Sequence, residues 1–140
     1  MAERLSLPVI VHDREAHGDC FDAIREYPGV RGVFHSYSGS AEMAKDLVRR
    51  GWMISFSGTL TFKNARNVKE AAAALPRESV MIETDCPYLA PHPCRGQMNH
   101  SGLLCYTAAA LAEAFGCTEE EAARITDKYA RRFFGIPAAL

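Results

Sequence analysis

The sequence predicts an α/β fold built on parallel β-strands. Two observations carry the prediction. Short apolar runs recur along the chain, each followed by a segment of helical periodicity, which is the alternation of βαβ units. Polar residues, His12, His35, Ser57 and Asp85, sit at or just past the ends of these runs, where parallel β/α folds collect ligands and catalytic groups.

The first run is Pro8-Val9-Ile10-Val11-His12, and a helical segment over about residues 15–27 follows, with Phe21, Ile24 and Cys20 on its inner face. Pro28-Gly29 closes it. The second run covers 30–35, and the next helix opens as Ser40-Ala41-Glu42-Met43, carries Met43, Ala44, Leu47 and Val48 at core spacing, and stops at Gly51. Trp52-Met53-Ile54-Ser55-Phe56 is the third run, leading to an alanine-rich helix over about 64–75 that Pro76 terminates. The fourth run, 80–83, precedes a long proline-bearing loop over about 86–102. A helix over about 103–115 comes next. The last helix starts from Thr118 with Thr-Glu-Glu-Glu, a capping-box pattern.

Composition narrows the class. One domain covering 1–140 is expected, with 48% hydrophobic residues supplying its core. Sixteen basic against seventeen acidic residues leave a net charge of -1, so the chain is no general polycation. A nucleic-acid partner would need a local patch. The five cysteines are odd in number and widely spaced, and none forms C-x-x-C, which argues against a disulfide scaffold or a structural zinc site. A reducing cytoplasm suits them. No apolar stretch approaches a membrane span, and MAERLSLPVI carries no secretory pattern.

The stretch Val80-Met81-Ile82-Glu83-Thr84-Asp85-Cys86-Pro87 ends an apolar run on two carboxylates. Taken alone, it fits a loop start or a helix N-cap, and Pro87 suits both. A single histidine at a strand end is likewise most often structural. His12, His35 and Asp85 together, at the ends of successive β/α units, are harder to dismiss. Imidazole and carboxylate suit zinc or another first-row divalent ion, whose ligands converge from several strands.

These residues fall within stretches that resemble the TatD-type metal-dependent deoxyribonucleases: PVIVHDREA (8–16), FHSYSGS (34–40), the 58–65 segment, ETDCPYLAP (83–91) and Arg95-Gly96, in family order over nearly the whole chain. The resemblance implies an amidohydrolase-like (β/α)8 barrel with two divalent ions (zinc, magnesium or manganese) at the C-terminal strand ends. It implies His12 and His35 as metal ligands of strands five and six. Asp85 corresponds to the strand-eight aspartate, a ligand and candidate base, and Glu83 to a supporting residue at the other side of the strand end or behind the ligands. It also implies DNA as substrate and phosphodiester hydrolysis as chemistry, with Arg95 and Lys63 neutralising the phosphate. The family's opening His-x-His-x-Asp motif and bridging glutamate have no counterpart here. A full barrel needs about 200 residues or more, so the expectation is a second half of the barrel, strands five to eight, N-terminally truncated, with impaired turnover. The other reading is a non-catalytic half-barrel remnant or assembly module. A small-molecule amidohydrolase is disfavoured by the Arg95-Gly96 loop. Open edges on the first and fourth strands point to a homodimer or to association with a separate N-terminal half.

Other candidates carry less. His17 fits a solvated helix face. His92 and His100 fit ordinary loop polarity or substrate contact. Tyr88 and Phe62 fit core packing or stacking on bases. Cys94 beside His92 does not make a second metal site, because Pro93 fixes the backbone between them. The family's usual Asn-Glu-Pro reads Asn99-His100-Ser101 here, and its asparagine before the final Arg-x-Phe is Tyr129. Val9, Val11, Phe34, Ile54 and, in part, Ile82 are expected to face the barrel interior.

Overall fold

The structure is a computed structural model and describes residues 1–137. One helical turn, α1 (Ala2–Leu5), precedes β1 (Val9–His12) and has no buried residue. Then follow α2 (His17–Glu26), β2 (Gly32–His35), α3 (Ala41–Arg49), β3 (Met53–Phe56), a 3-10 turn at Gly58–Thr61 and α4 (Arg66–Ala74). A second 3-10 turn, Arg77–Ser79, enters β4 (Val80–Ile82); a long loop and a third such turn, Ser101–Leu103, lead to α5 (Leu104–Phe115) and α6 (Glu119–Phe134). The four strands pair in sequence order, all parallel. The α/β alternation read from the sequence is thus present, with α1 unforeseen and most boundaries tightened by one or two residues.

Local chemistry sets the helix ends. The Ser40 hydroxyl accepts a hydrogen bond from the Met43 amide (3.2 Å), and Thr118 does the same for Glu121 (3.2 Å). Each satisfies an amide that the first helical turn leaves unpaired. Glu119, Glu120 and Glu121 occupy the first turn of α6 and Arg131 and Arg132 the last, the order the helix dipole favours. The α5 and α6 helices end at Gly116 and Gly135, both with positive φ.

The core lies between the sheet and its helices. Phe34, Ile54, Phe56 and Val80 are buried against Ala44 and Leu47 of α3, Ala71 and Ala72 of α4 and Leu111 of α5. Each large apolar side chain removed from water there contributes about 1.5–3 kcal/mol. Val9, Val11 and Ile82 pack against the same cluster. This corrects the expected strand orientation: Val9, Val11, Phe34, Ile54 and Ile82 face the helices and not the barrel interior. Alternate residues of a strand point to opposite faces, so Ile10, His12, Val33, His35, Ser55 and Met81 share the other side. Ile10 on that side is 64% exposed.

A histidine pair and two carboxylates at the strand ends

Register places the two histidines. The pairing of β1 with β2 sets His12 beside His35 at the last position of both strands, on the face opposite the helices. Their rings meet at 2.7 Å between His12 Nδ1 and His35 Nε2, so one nitrogen donates its hydrogen to the other's lone pair.

Behind the pair stands Glu83, one residue past β4. Its Oε1 accepts a hydrogen bond from the Ser36 amide at 2.6 Å, and Oε2 lies 3.4 Å from His35 Nδ1. One carboxylate therefore grips both the backbone after β2 and the back of the His35 ring. A nitrogen of His35 and carboxylate oxygens of Glu83 and Asp85 all lie within 4.8 Å of one another. Ser36 continues the network: its hydroxyl bonds to that of the fully buried Ser57 (2.7 Å), which reaches the Thr59 hydroxyl (3.1 Å).

The cluster opens into a cleft of about 730 Å³, lined by His12, Asp13, Arg14, Glu15, His35, Ser36, Ser38, Thr59, Asp85, Tyr88 and Leu89. Glu15, Ser36, Asp85 and Leu89 have positive φ, leaving Ser6 as the fifth such non-glycine residue among those described. Left-handed backbone at a side-chain-bearing residue costs about 1–3 kcal/mol and persists only where the surroundings enforce it. Here the enforcing contacts are visible. Glu83 holds Ser36, and Asp13 holds the turn after β1 by accepting from the Ala16 amide (3.2 Å) and pairing with His17 Nδ1 (2.6 Å). Asn99, 3% exposed, donates both amide hydrogens at 2.6 Å, one to the Thr84 carbonyl and one to that of Tyr88, bracketing Asp85. Gly58 lets the loop come close, since a Cβ there would run into the Leu89 carbonyl.

Known proteins match the chain along nearly its whole length. A family model described as TatD related DNase matches residues 1–135. The chain belongs to the TatD-related DNase family. An uncharacterized metal-dependent hydrolase of Bacillus subtilis, YabD, is 40% identical over 97% of this chain and 54% of its own length. An uncharacterized metal-dependent hydrolase of Mycobacterium tuberculosis, TatD, is 42% identical over 97% of this chain and 52% of its own. The crystal structure of YjjV, a TatD homolog from Escherichia coli K12, superposes with a TM-score of 0.89 at 29% identity, over 97% of this chain and 53% of that one. The chain thus spans about half the length of the curated relatives it matches. Its four consecutive β/α units are those of a TIM-type, amidohydrolase-like barrel.

Within this TatD-family chain the residues read from sequence are distributed unevenly. His12, His35 and Asp85 line one cleft, and Glu83 joins them from the rear. Arg95 and Lys63 are not among the residues lining it. The Arg95 guanidinium instead lies over the Phe62 ring, 4.0 Å from its centroid, which also accounts for Phe62. His17 is no solvated bystander but the partner of Asp13. Tyr88 is no core residue, being 72% exposed. Sequence reasoning missed Asp13, Arg14 and Asn99. The first two directly follow His12 in PVIVHDREA, so their closeness to a strand end was available as a signal. Asn99 had only its place in the family's Asn-Glu-Pro pattern as a signal, since its partners are backbone carbonyls fifteen and eleven residues away.

Proposed function

We propose that the chain carries half of the active site of a metal-dependent phosphodiesterase acting on DNA. The observation that supports it most is the His12–His35 pair, held in register with Asp85 and Glu83 against His35. The donors that converge, a His35 nitrogen with carboxylate oxygens of Glu83 and Asp85, suit a first-row divalent ion such as zinc or manganese, with His12 bonded to His35 beside them. His12 and His35 would hold the ion with Asp85. When bound, divalent ions activate water and stabilise the charge that develops on a scissile phosphodiester.

The chain's own residues supply the rest. Glu83, committed to the Ser36 amide and to His35 Nδ1, fixes the ring with Nε2 turned to His12. Asp85 accepts the proton of the attacking water. Arg14, the one Lys or Arg side chain among the cleft residues, meets the phosphate. Arg95 and Lys63, outside the lining, act on the backbone of a longer strand. Slow turnover by this chain alone is the expectation, because two imidazoles and one carboxylate are the ligands of one ion and not of two.

The test is hydrolysis of an end-labelled single-stranded oligonucleotide with manganese. The wild-type chain should show a low rate, and Asp85→Asn should cut it by about a hundredfold, the scale of a lost proton acceptor, while thermal stability stays within a degree or two. Equal loss of activity and stability would make Asp85 a structural residue. A second reading, a half-barrel that serves assembly, draws on the exposed Ile10 at the β1 edge.

A further inference from the structure

We propose that Tyr88 is the stacking wall of the cleft and takes a nucleobase of the substrate strand. The proposal deepens the phosphodiesterase reading by assigning the group that senses the base beside the bond to be cleaved. An exposed aromatic ring by itself says little, because folded proteins leave many apolar atoms in water. What distinguishes Tyr88 is how its backbone is held. Its amide donates to the Asp85 carbonyl (3.0 Å), its carbonyl accepts from Asn99 Nδ2 (2.6 Å), and the preceding Pro87 carbonyl accepts from the Asn99 amide (3.1 Å). On its other side Leu89 is in the left-handed region, with its carbonyl set against Gly58.

Asn99 spends both side-chain hydrogens on this turn, and its buried Oδ1 has no partner among the described residues. An unsatisfied buried acceptor costs about 1–3 kcal/mol. That cost, added to the left-handed backbone at Asp85 and Leu89, goes into a turn that keeps a ring 72% exposed on the cleft wall, three residues from Asp85. Tyrosine loses little rotamer freedom on binding, which suits it to a rigid contact surface. The cleft already has a cation for phosphate in Arg14 and carboxylates around the imidazoles. A flat ring adds no charge for phosphate; it matches the π-face common to all bases, with no preference among them.

The experiment compares two end-labelled single-stranded probes of equal length, oligothymidylate and its abasic sugar-phosphate counterpart, by fluorescence anisotropy with the full chain. Calcium serves as the divalent ion, and manganese uptake is measured in parallel. One stacked base should favour the thymidine probe by about tenfold, at the lower part of the range for base–aromatic stacking. Tyr88→Ala should bring the ratio to about one and Tyr88→Phe should keep it, since the ring and not the hydroxyl stacks. With the side chain so exposed, both variants should melt with the wild type. A wild-type ratio of one, no binding of either probe, or a preference that survives Tyr88→Ala would overturn the proposal. Manganese uptake decides the other question: a lost base preference with manganese still bound removes only the stacking wall, whereas a kept preference without manganese uptake removes the hydrolase reading.

Discussion

At the scale of single residues, Glu83 is the most informative. It occupies the open face one position past β4, where its two oxygens reach different targets, a backbone amide and a ring nitrogen. Such a carboxylate orients an imidazole, and outer partners of this kind typically change metal affinity by about 10–100-fold. Glu83→Gln retains an oxygen for the Ser36 amide and loses the negative charge behind His35. Manganese affinity should therefore fall by about 10–100-fold, with stability changed by no more than about 1 kcal/mol, as for one altered hydrogen bond. Titration of the variant beside a urea melt checks both. Unchanged affinity would reduce Glu83 to a brace for the turn at Ser36. Arg95, outside the cleft lining, lies over the Phe62 ring in a cation–π contact.

At the scale of elements, α3 shows how the sheet is held. Ala44 and Leu47 are fully buried on one face of the helix, while Asp46, Arg49 and Arg50 form ion pairs on the other. Leu47→Ala should cost about 2–5 kcal/mol, the range for a buried leucine; a loss under 1 kcal/mol in urea denaturation would show a core able to close over the gap. Most elements were legible for a local reason: Ser40, Gly51, Pro76 and Thr118 punctuate the chain where helices begin or end. Less legible was which face of each strand meets the helices. In a parallel sheet both faces carry apolar residues, so Val11 and Phe34 look equally suited to the barrel interior, and only the position of His12 and His35 on the opposite face decides. The loop before α5 was least legible. Its shape depends on Asn99, Gly58 and Thr61, whose hydroxyl accepts from the His92 amide at 2.7 Å, contacts that no local pattern announces.

At the scale of the whole molecule, β1 and β4 are edge strands, and an apolar groove of about 480 Å³ lined by Val9, Val11, Ile24, Tyr27 and Trp52 runs beside β1. Unpaired apolar sheet edges favour association. Sedimentation at micromolar concentration should show self-association; a compact monomer would count against this. The strand-end metal centre remains the central claim, and calorimetric titration with manganese tests it most directly. The wild-type chain should take up the ion at a single class of site. His12→Ala and His35→Ala should each abolish that uptake while leaving a cooperative melt. Unchanged stoichiometry and affinity in both variants would contradict the account.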